Sequence, residues 1–296
     1  MGSLNLDGTH ISQSHRVSKA RPRHVLVTDH TDDTTKKRIE LFDPSKLDLA
    51  LWMDASDIST FTVSSFGRLT EWRDKVNGTA FVLGGNGNLD FPPISSKLNG
   101  LHCPLFNQFD LSSGASSVSP VRGGMEAAGT NPMGPTFTML LVARAKEGQF
   151  GLPFCFSEQG NAALTAGLHP GPTNVRWFVS SGGQEQAQFG VSAVIGETNI
   201  FAAVERGSSR DLWIDGALKA VNSVARNMGP MDSMEIGTFR LRQDTAALSY
   251  NGWIAEIIFI NKDLPATPAG LETYRALHRY LANKWGVSEN LDANML

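Results

Sequence analysis

Residues 199–221, NIFAAVERGSSRDLWIDGALKAV, constrain the fold more than any other stretch. Three runs of strand length are separated by two turn signals, Gly207-Ser208-Ser209 and Asp215-Gly216. The gaps are too short for a crossover helix, so successive runs must pair antiparallel. The same grammar recurs along the chain. LTEWRDKVNGTAFVL (69–83) sets two β-prone runs on either side of Asn77-Gly78, the dipeptide that favours a two-residue type I′ hairpin. FTMLLVARA (137–145) reads as a fully buried strand, and PFCFSE, AALTAGLH and VRWFVSS follow at the intervals of consecutive antiparallel strands.

MEIGTF and YNGWIAEIIFIN supply two more strands. In the second, alternation predicts Trp253, Ala255, Ile257 and Phe259 on one face and Ile254, Glu256, Ile258 and Ile260 on the other. Both faces are mainly apolar, so this strand should be central. Residues 84–135 are rich in Gly, Pro and Ser, with short strands expected near 103–111. The one convincing helix comes last, over 267–285: Thr267 suits the N-cap, Pro268 the first turn and Gly286 the stop. Leu271, Tyr274, Leu277, His278, Leu281 and Trp285 recur on one face, so the helix should lie against a sheet. Many strands and one terminal helix predict an all-β antiparallel sandwich.

Residues 1–43 differ from this body, which is expected over 44–287 with a short tail at 288–296. A basic cluster, RVSKARPRH, precedes an acidic DHTDD and a basic KKR, with Val25-Leu26-Val27 as the one apolar triplet. Such a segment buries too little apolar area to offset its own ordering. It reads as an extended N-terminal arm that orders on a partner, with Arg16, Lys19, Arg21, Arg23, Val25, Leu26 and Val27 as its contacts.

The net charge of −3 over 296 residues gives no reason to expect nucleic acid or a membrane as partner. Two cysteines, Cys103 and Cys155, make no disulfide framework and no zinc spacing, and are expected to be buried thiols. The opening MGSLNLDGTH lacks an apolar signal segment, so folding in a cytoplasm is expected. There is no G-x-S-x-G elbow, no H-E-x-x-H and no P-loop.

LALWMDASDISTF (49–61) runs as a buried strand and then breaks into Asp54, Ala55, Ser56 and Asp57. Asp54 and Asp57 are read as accepting backbone N–H groups in Asx-type turns, and Asp74 as doing the same or bonding the first loop. The alternative is calcium, which takes about six to eight oxygen ligands; no dedicated calcium loop is present, and no other cofactor is expected. Of the six tryptophans, Trp177 and Trp213 have polar neighbours, Arg176, Arg210 and Asp211. Trp177, Trp213, Arg176 and Arg210 are therefore the candidate glycan contacts, since sugars stack on exposed aromatic faces.

In this order, LALWMDASD, EWRDKVNGTAF, FTMLLVAR, DLWIDGALKA, GWIAEIIFIN and YLANKWGV resemble the concanavalin A-like lectin/glucanase superfamily. The closer resemblance is to laminin G-like domains of tailed-phage virion proteins, over roughly residues 44–287. It implies a jelly-roll β-sandwich of two antiparallel sheets, one concave. Members bind glycans, some with calcium; others are hydrolases; many in virions are structural. The glucanase branch carries acidic residues as E-x-D-x-x-E on one strand, which this chain lacks; strand glutamates such as Glu205 and Glu256 stand alone. The chain is therefore read as non-enzymatic: a virion component in capsid decoration, collar or tail, oligomeric in the assembly and joined to other virion proteins through residues 1–43. The alternatives are a carbohydrate-binding module for a host surface polysaccharide and a divergent glycanase.

Overall fold

The computed structural model describes residues 42–83, 96–106, 124–129, 134–146, 152–158, 161–170, 175–181, 184–185, 196–223, 232–237, 250–287 and 291–295. The side chains of 83, 158, 161–170, 176–181 and 184–185 are excepted. The chain divides into two compact units, Met1–Ile39 and Glu40–Leu296, and every described residue belongs to the second. The arm contacts Arg16, Lys19, Arg21, Arg23, Val25, Leu26 and Val27 lie outside the described residues.

The strands are β1 (Leu51–Asp54), β2 (Phe61–Val63), β3 (Leu69–Arg73), β4 (Ala80–Leu83), β5 (Lys97–Leu98), β6 (Leu101–His102), β7 (Leu105–Phe106), β8 (Met125–Ala128) and β9 (Phe137–Ala145). They continue as β10 (Phe154–Glu158), β11 (Asn161–Pro170), β12 (Val175–Ser181), β13 (Gln184–Glu185), β14 (Asn199–Glu205), β15 (Arg210–Ile214), β16 (Ala217–Asn222), β17 (Ser233–Ile236) and β18 (Gly252–Ile260). One sheet runs β1-β18-β9-β14-β15-β16, with β7 also on β18; the other runs β13-β12-β11-β10-β17-β8-β4-β3-β2. Every pairing in both is antiparallel. This is the all-β sandwich expected from the turn spacing.

The sheets meet through aromatic rings. Phe156 of the nine-stranded sheet packs edge-on against Phe259 of the seven-stranded sheet at 5.4 Å, and Phe137 lies 4.7 Å from Phe259. All three are fully buried, and each such ring contributes about 1.5–3 kcal/mol by leaving water. The long central strand β18 is flanked by β1 and β9, as its two apolar faces require.

Helix α1 (Pro268–Trp285) covers the other face of the seven-stranded sheet. Its Thr267 hydroxyl accepts from Gly270 N–H, and Gly286 ends it at φ 75. Tyr274, Leu277, His278, Leu281 and Trp285 are all buried, as the helical spacing predicts.

Four local expectations need correction. Asn77-Gly78 is not a two-residue type I′ turn. Arg73 pairs with Ala80, leaving a wider loop in which Gly78 N–H reaches the Asp74 carbonyl and the Asp74 carboxylate accepts from Val76 and Asn77 N–H. The side chain of Asp74 captures the turn before the dipeptide can form its own. Second, β18 does not alternate along its whole length. A register shift between Ile254 and Glu256 makes Ala255 a bulge, so Trp253, opposite Arg144, and Glu256, opposite Val142, share a face.

Third, strands at 97–98 and 101–102 precede the expected span of 103–111; the strand at 105–106 falls within it, and 107–111 lie outside the described residues. Fourth, the end of the chain is docked: Leu291 and Met295 are buried, Asp292 N–H bonds the Asp215 carbonyl, and Arg279 bonds the Met295 carbonyl. The Asp215-Gly216 hairpin has the predicted form. Ile214 pairs with Ala217, and both turn residues have positive φ, 50 and 79.

Candidate functional site

The aspartates of the opening strand belong to one polar network. Asp54 on β1 stands in register with Glu256 on β18, so two carboxylates face each other across the ladder. The Lys284 ammonium, from the last turn of α1, lies 2.7 Å from an oxygen of each. Glu256 is fully buried and also accepts from Trp52 Nε1, Trp285 Nε1 and the Tyr280 hydroxyl. Burial pushes the Glu256 carboxyl above its ordinary value, with Lys284 opposing and Asp54 adding to the rise. Burial also raises Asp54, but Lys284, Ser56 and Lys75 outweigh it and hold that carboxyl down.

All three predicted turn aspartates accept backbone N–H groups. Asp54 takes Ser56 N–H, Asp57 takes Ser59 N–H, and Asp74 takes Val76, Asn77 and, from β1, Trp52 N–H at 2.7 Å. The cations beside them are side chains. Lys75 bridges Asp54 and Asp57 and lies 4.2 Å over the Trp52 ring, where the alternative reading would have put calcium. No group of three or more His, Cys, Asp or Glu that could hold a metal ion occurs among the described residues.

The candidate glycan contacts separate. Arg210 is fully buried and paired through Nε with Glu205 at 2.9 Å, so its guanidinium is turned inward instead of presented to a ligand. Trp213 is half-buried and packs edge-on with Tyr274 of α1, ring centroids 5.5 Å apart. Backbone register puts Trp177 opposite Leu168, in the row that continues through Phe154, Ile236 and Met125, and puts Arg176 opposite His169. The side chains of Trp177 and Arg176 lie outside the described ones.

A site unseen in the sequence lies on the outer face of the nine-stranded sheet. Thr62, Glu71, Val82, Glu126, Glu235 and Cys155 stand opposite one another on successive strands β2, β3, β4, β8, β17 and β10. Directly opposed residues share a face, so three carboxylates fall in one row. The inward parity is taken by Phe61, Trp72 and Phe81, and by Met125, Ile236 and Phe154. Ser157 Oγ donates to Glu235 at 2.9 Å, and Ser233 Oγ to Glu126 at 3.0 Å. The row is open at one end, where Val82 is 45% exposed, and closes towards Glu126 and Glu235, at 7% and 4%.

Cys155 and Cys103 are both buried and unbridged, and burial pushes both thiols up. The glutamates were missed because Glu126 and Glu235 lie on separate strands. Within-strand spacing contains no trace of a pair made by register. Of the strand glutamates read as standing alone, Glu256 faces the carboxylate of Asp54 across the ladder, while Glu205 is paired with Arg210.

No family model matches the sequence, and no curated protein matches it. Some solved structures are similar to this chain. One is Trypanosoma rangeli sialidase in complex with sialic acid, at 13% identity and a TM-score of 0.48, covering 78% of this chain and 32% of that one. Another is domain 4 of a GH43 extracellular arabinanase from Geobacillus stearothermophilus in complex with arabinotriose, at 12%, TM-score 0.47, covering 71% and 91%. A third is the botulinum neurotoxin type G receptor binding domain, at 11%, TM-score 0.48, covering 80% and 53%.

The chain thus spans about a third of the sialidase chain it matches. The non-enzymatic reading is corrected: the solved structures similar to this chain include a sialidase and one domain of an arabinanase.

Proposed function

We propose that this protein binds glycans on the outer face of its nine-stranded sheet. One observation carries the reading: the row Glu71, Val82, Glu126, Glu235, spaced by the ladder and flanked by Ser157 and Ser233. Sugar hydroxyls are donors at fixed spacing, and carboxylates on a rigid sheet are acceptors at fixed spacing, so little ordering is lost on binding. Exposed Val82 offers an apolar contact for the C–H face of a sugar ring beside Glu71. A glycan array with the full chain tests this. Binding is expected, and Glu71→Gln should weaken it; absence of binding, or binding unchanged in a Glu71→Gln/Glu126→Gln/Glu235→Gln chain, would remove the reading.

The register of Glu126 with Glu235 favours a second reading, glycoside hydrolysis. Opposed residues set their Cβ atoms about 5 Å apart, which lets the two side chains reach the carboxyl separation of about 5–5.5 Å that retaining glycosidases use for acid and nucleophile. Release of reducing sugar, lost in either single Glu→Gln variant, is the expected result.

For the setting we propose the virion of a tailed phage, with residues 1–43 joining other virion proteins. What supports it is the resemblance to virion laminin G-like domains, whose segments around Trp52, Asp74, Glu256 and Lys284 converge on the Asp54–Glu256 network. A chain lacking residues 1–43 should fold but no longer join the particle; normal incorporation would refute the assignment.

A further inference from the structure

We propose that Lys284 and Asp54 become joined by an amide bond, formed by the folded chain itself with Glu256 relaying the proton. The Lys284 Nζ lies 2.7 Å from Asp54 Oδ1 and 2.7 Å from Glu256 Oε2, so amine, carboxyl and proton carrier already touch. The three side chains are 15%, 5% and 0% exposed, which excludes most of the water that would favour the separated ions.

Each group is held in place by further hydrogen bonds. Glu256 is fixed by two indole N–H groups and the Tyr280 hydroxyl. Asp54 Oδ1 accepts from Ser56 N–H and Oγ, and Oδ2 pairs with Lys75 at 3.1 Å, all of which draw electrons from the Asp54 carboxyl carbon. Tyr280 also accepts from the Lys284 ammonium at 2.9 Å. Strand and helix hold the reactants at an effective concentration that, in well-oriented pairs, reaches about 10⁵–10⁸ M.

The step balances without a co-reactant. Lys284 ammonium gives a proton to Glu256, a carboxyl whose proton affinity burial has raised. The neutral amine then attacks Asp54 Cγ and forms the C–N bond. One carboxyl oxygen leaves as water, taking the proton returned by Glu256 and a second from the attacking nitrogen. Nothing is oxidised or reduced, and one water is lost. Lys75 is the poorer nucleophile: it is shared with Asp57 and is more exposed, at 23% against 15%. The bond would tie the first strand of the body to its last helical turn, 230 residues apart in sequence.

Intact-mass measurement of the denatured full chain decides the matter. The expected mass is one water below that of the sequence, with fragmentation placing the link between the peptides containing Asp54 and Lys284. Lys284→Arg and Asp54→Ala should each restore the full mass, as should Glu256→Gln, which keeps the side chain's size. A wild-type chain at full mass after prolonged incubation at neutral pH would overturn the proposal. So would a lost water that persists in Lys284→Arg, or that maps elsewhere. Loss of water undiminished in Glu256→Gln would overturn the role given to Glu256.

Discussion

Asp54 and Glu256 oppose each other across the β1–β18 ladder with the Lys284 ammonium 2.7 Å from both. Two buried carboxylates in register would repel, and the helix supplies the charge that makes their approach tolerable. The sheet and its covering helix are thereby locked to one another at a single point.

Removing that charge should be costly. Lys284→Met leaves Glu256 buried without its ammonium and Asp54 with Lys75 alone, and should lower unfolding free energy by about 3–5 kcal/mol in urea titration. Lys262→Met breaks a pair with Asp48 in which both partners are largely exposed, and should cost under about 1 kcal/mol. Equal effects would show that burial does not govern these pairs.

A second buried pair gives an independent check. Glu205→Ala leaves the Arg210 guanidinium buried without its carboxylate, and should destabilise by about 3–5 kcal/mol. Glu205→Ala combined with Arg210→Met should recover part of that loss, measured as a coupling energy between the two sites.

His278 should make the fold acid-sensitive. Burial lowers its pKa from 6.5 to about 4, partly opposed by the hydrogen bond from Nδ1 to the Tyr274 carbonyl. The unfolded chain binds a proton here below about pH 6.5, whereas the folded chain does so only near 4. This contribution is therefore complete above pH 6.5 and is lost as pH falls towards 4, by up to about 3 kcal/mol. Stability curves at about pH 7 and about pH 5 should differ less in His278→Leu than in the parent chain.

Gly216 is pinned by both its backbone and its neighbour. At φ 79 an added Cβ is strained, and it would lie 2.2 Å from Met295 Cγ. Gly216→Ala should cost about 1–3 kcal/mol by thermal unfolding. Adding Met295→Ala should cost less than the two single losses summed, because one clash is then absent.

Legibility in the sequence followed the range of the interaction. Thr267, Pro268 and Gly286 bounded the helix because capping is decided within a turn. Asp215-Gly216 formed the turn it encodes, yet Asn77-Gly78 did not, since Asp74 and its bond to Trp52 tie that loop to another strand. Alternation in β18 read correctly after Ala255 and failed before it, because a bulge is imposed by the partner strand. Arg210 and Trp213 looked exposed among polar neighbours, but Arg210 is buried on Glu205 and Trp213 is half-buried against Tyr274.

The amino-acid order alone determined that this chain makes antiparallel strands closed by one capped helix, because strand period, turn dipeptides and caps act over a few residues. Tertiary structure alone decided that Glu126 meets Glu235, and that Asp54, Glu256 and Lys284 share one buried point. Those encounters depend on which strands become neighbours and in what register. That choice is made by the packing of the whole sandwich, and no local pattern carries it.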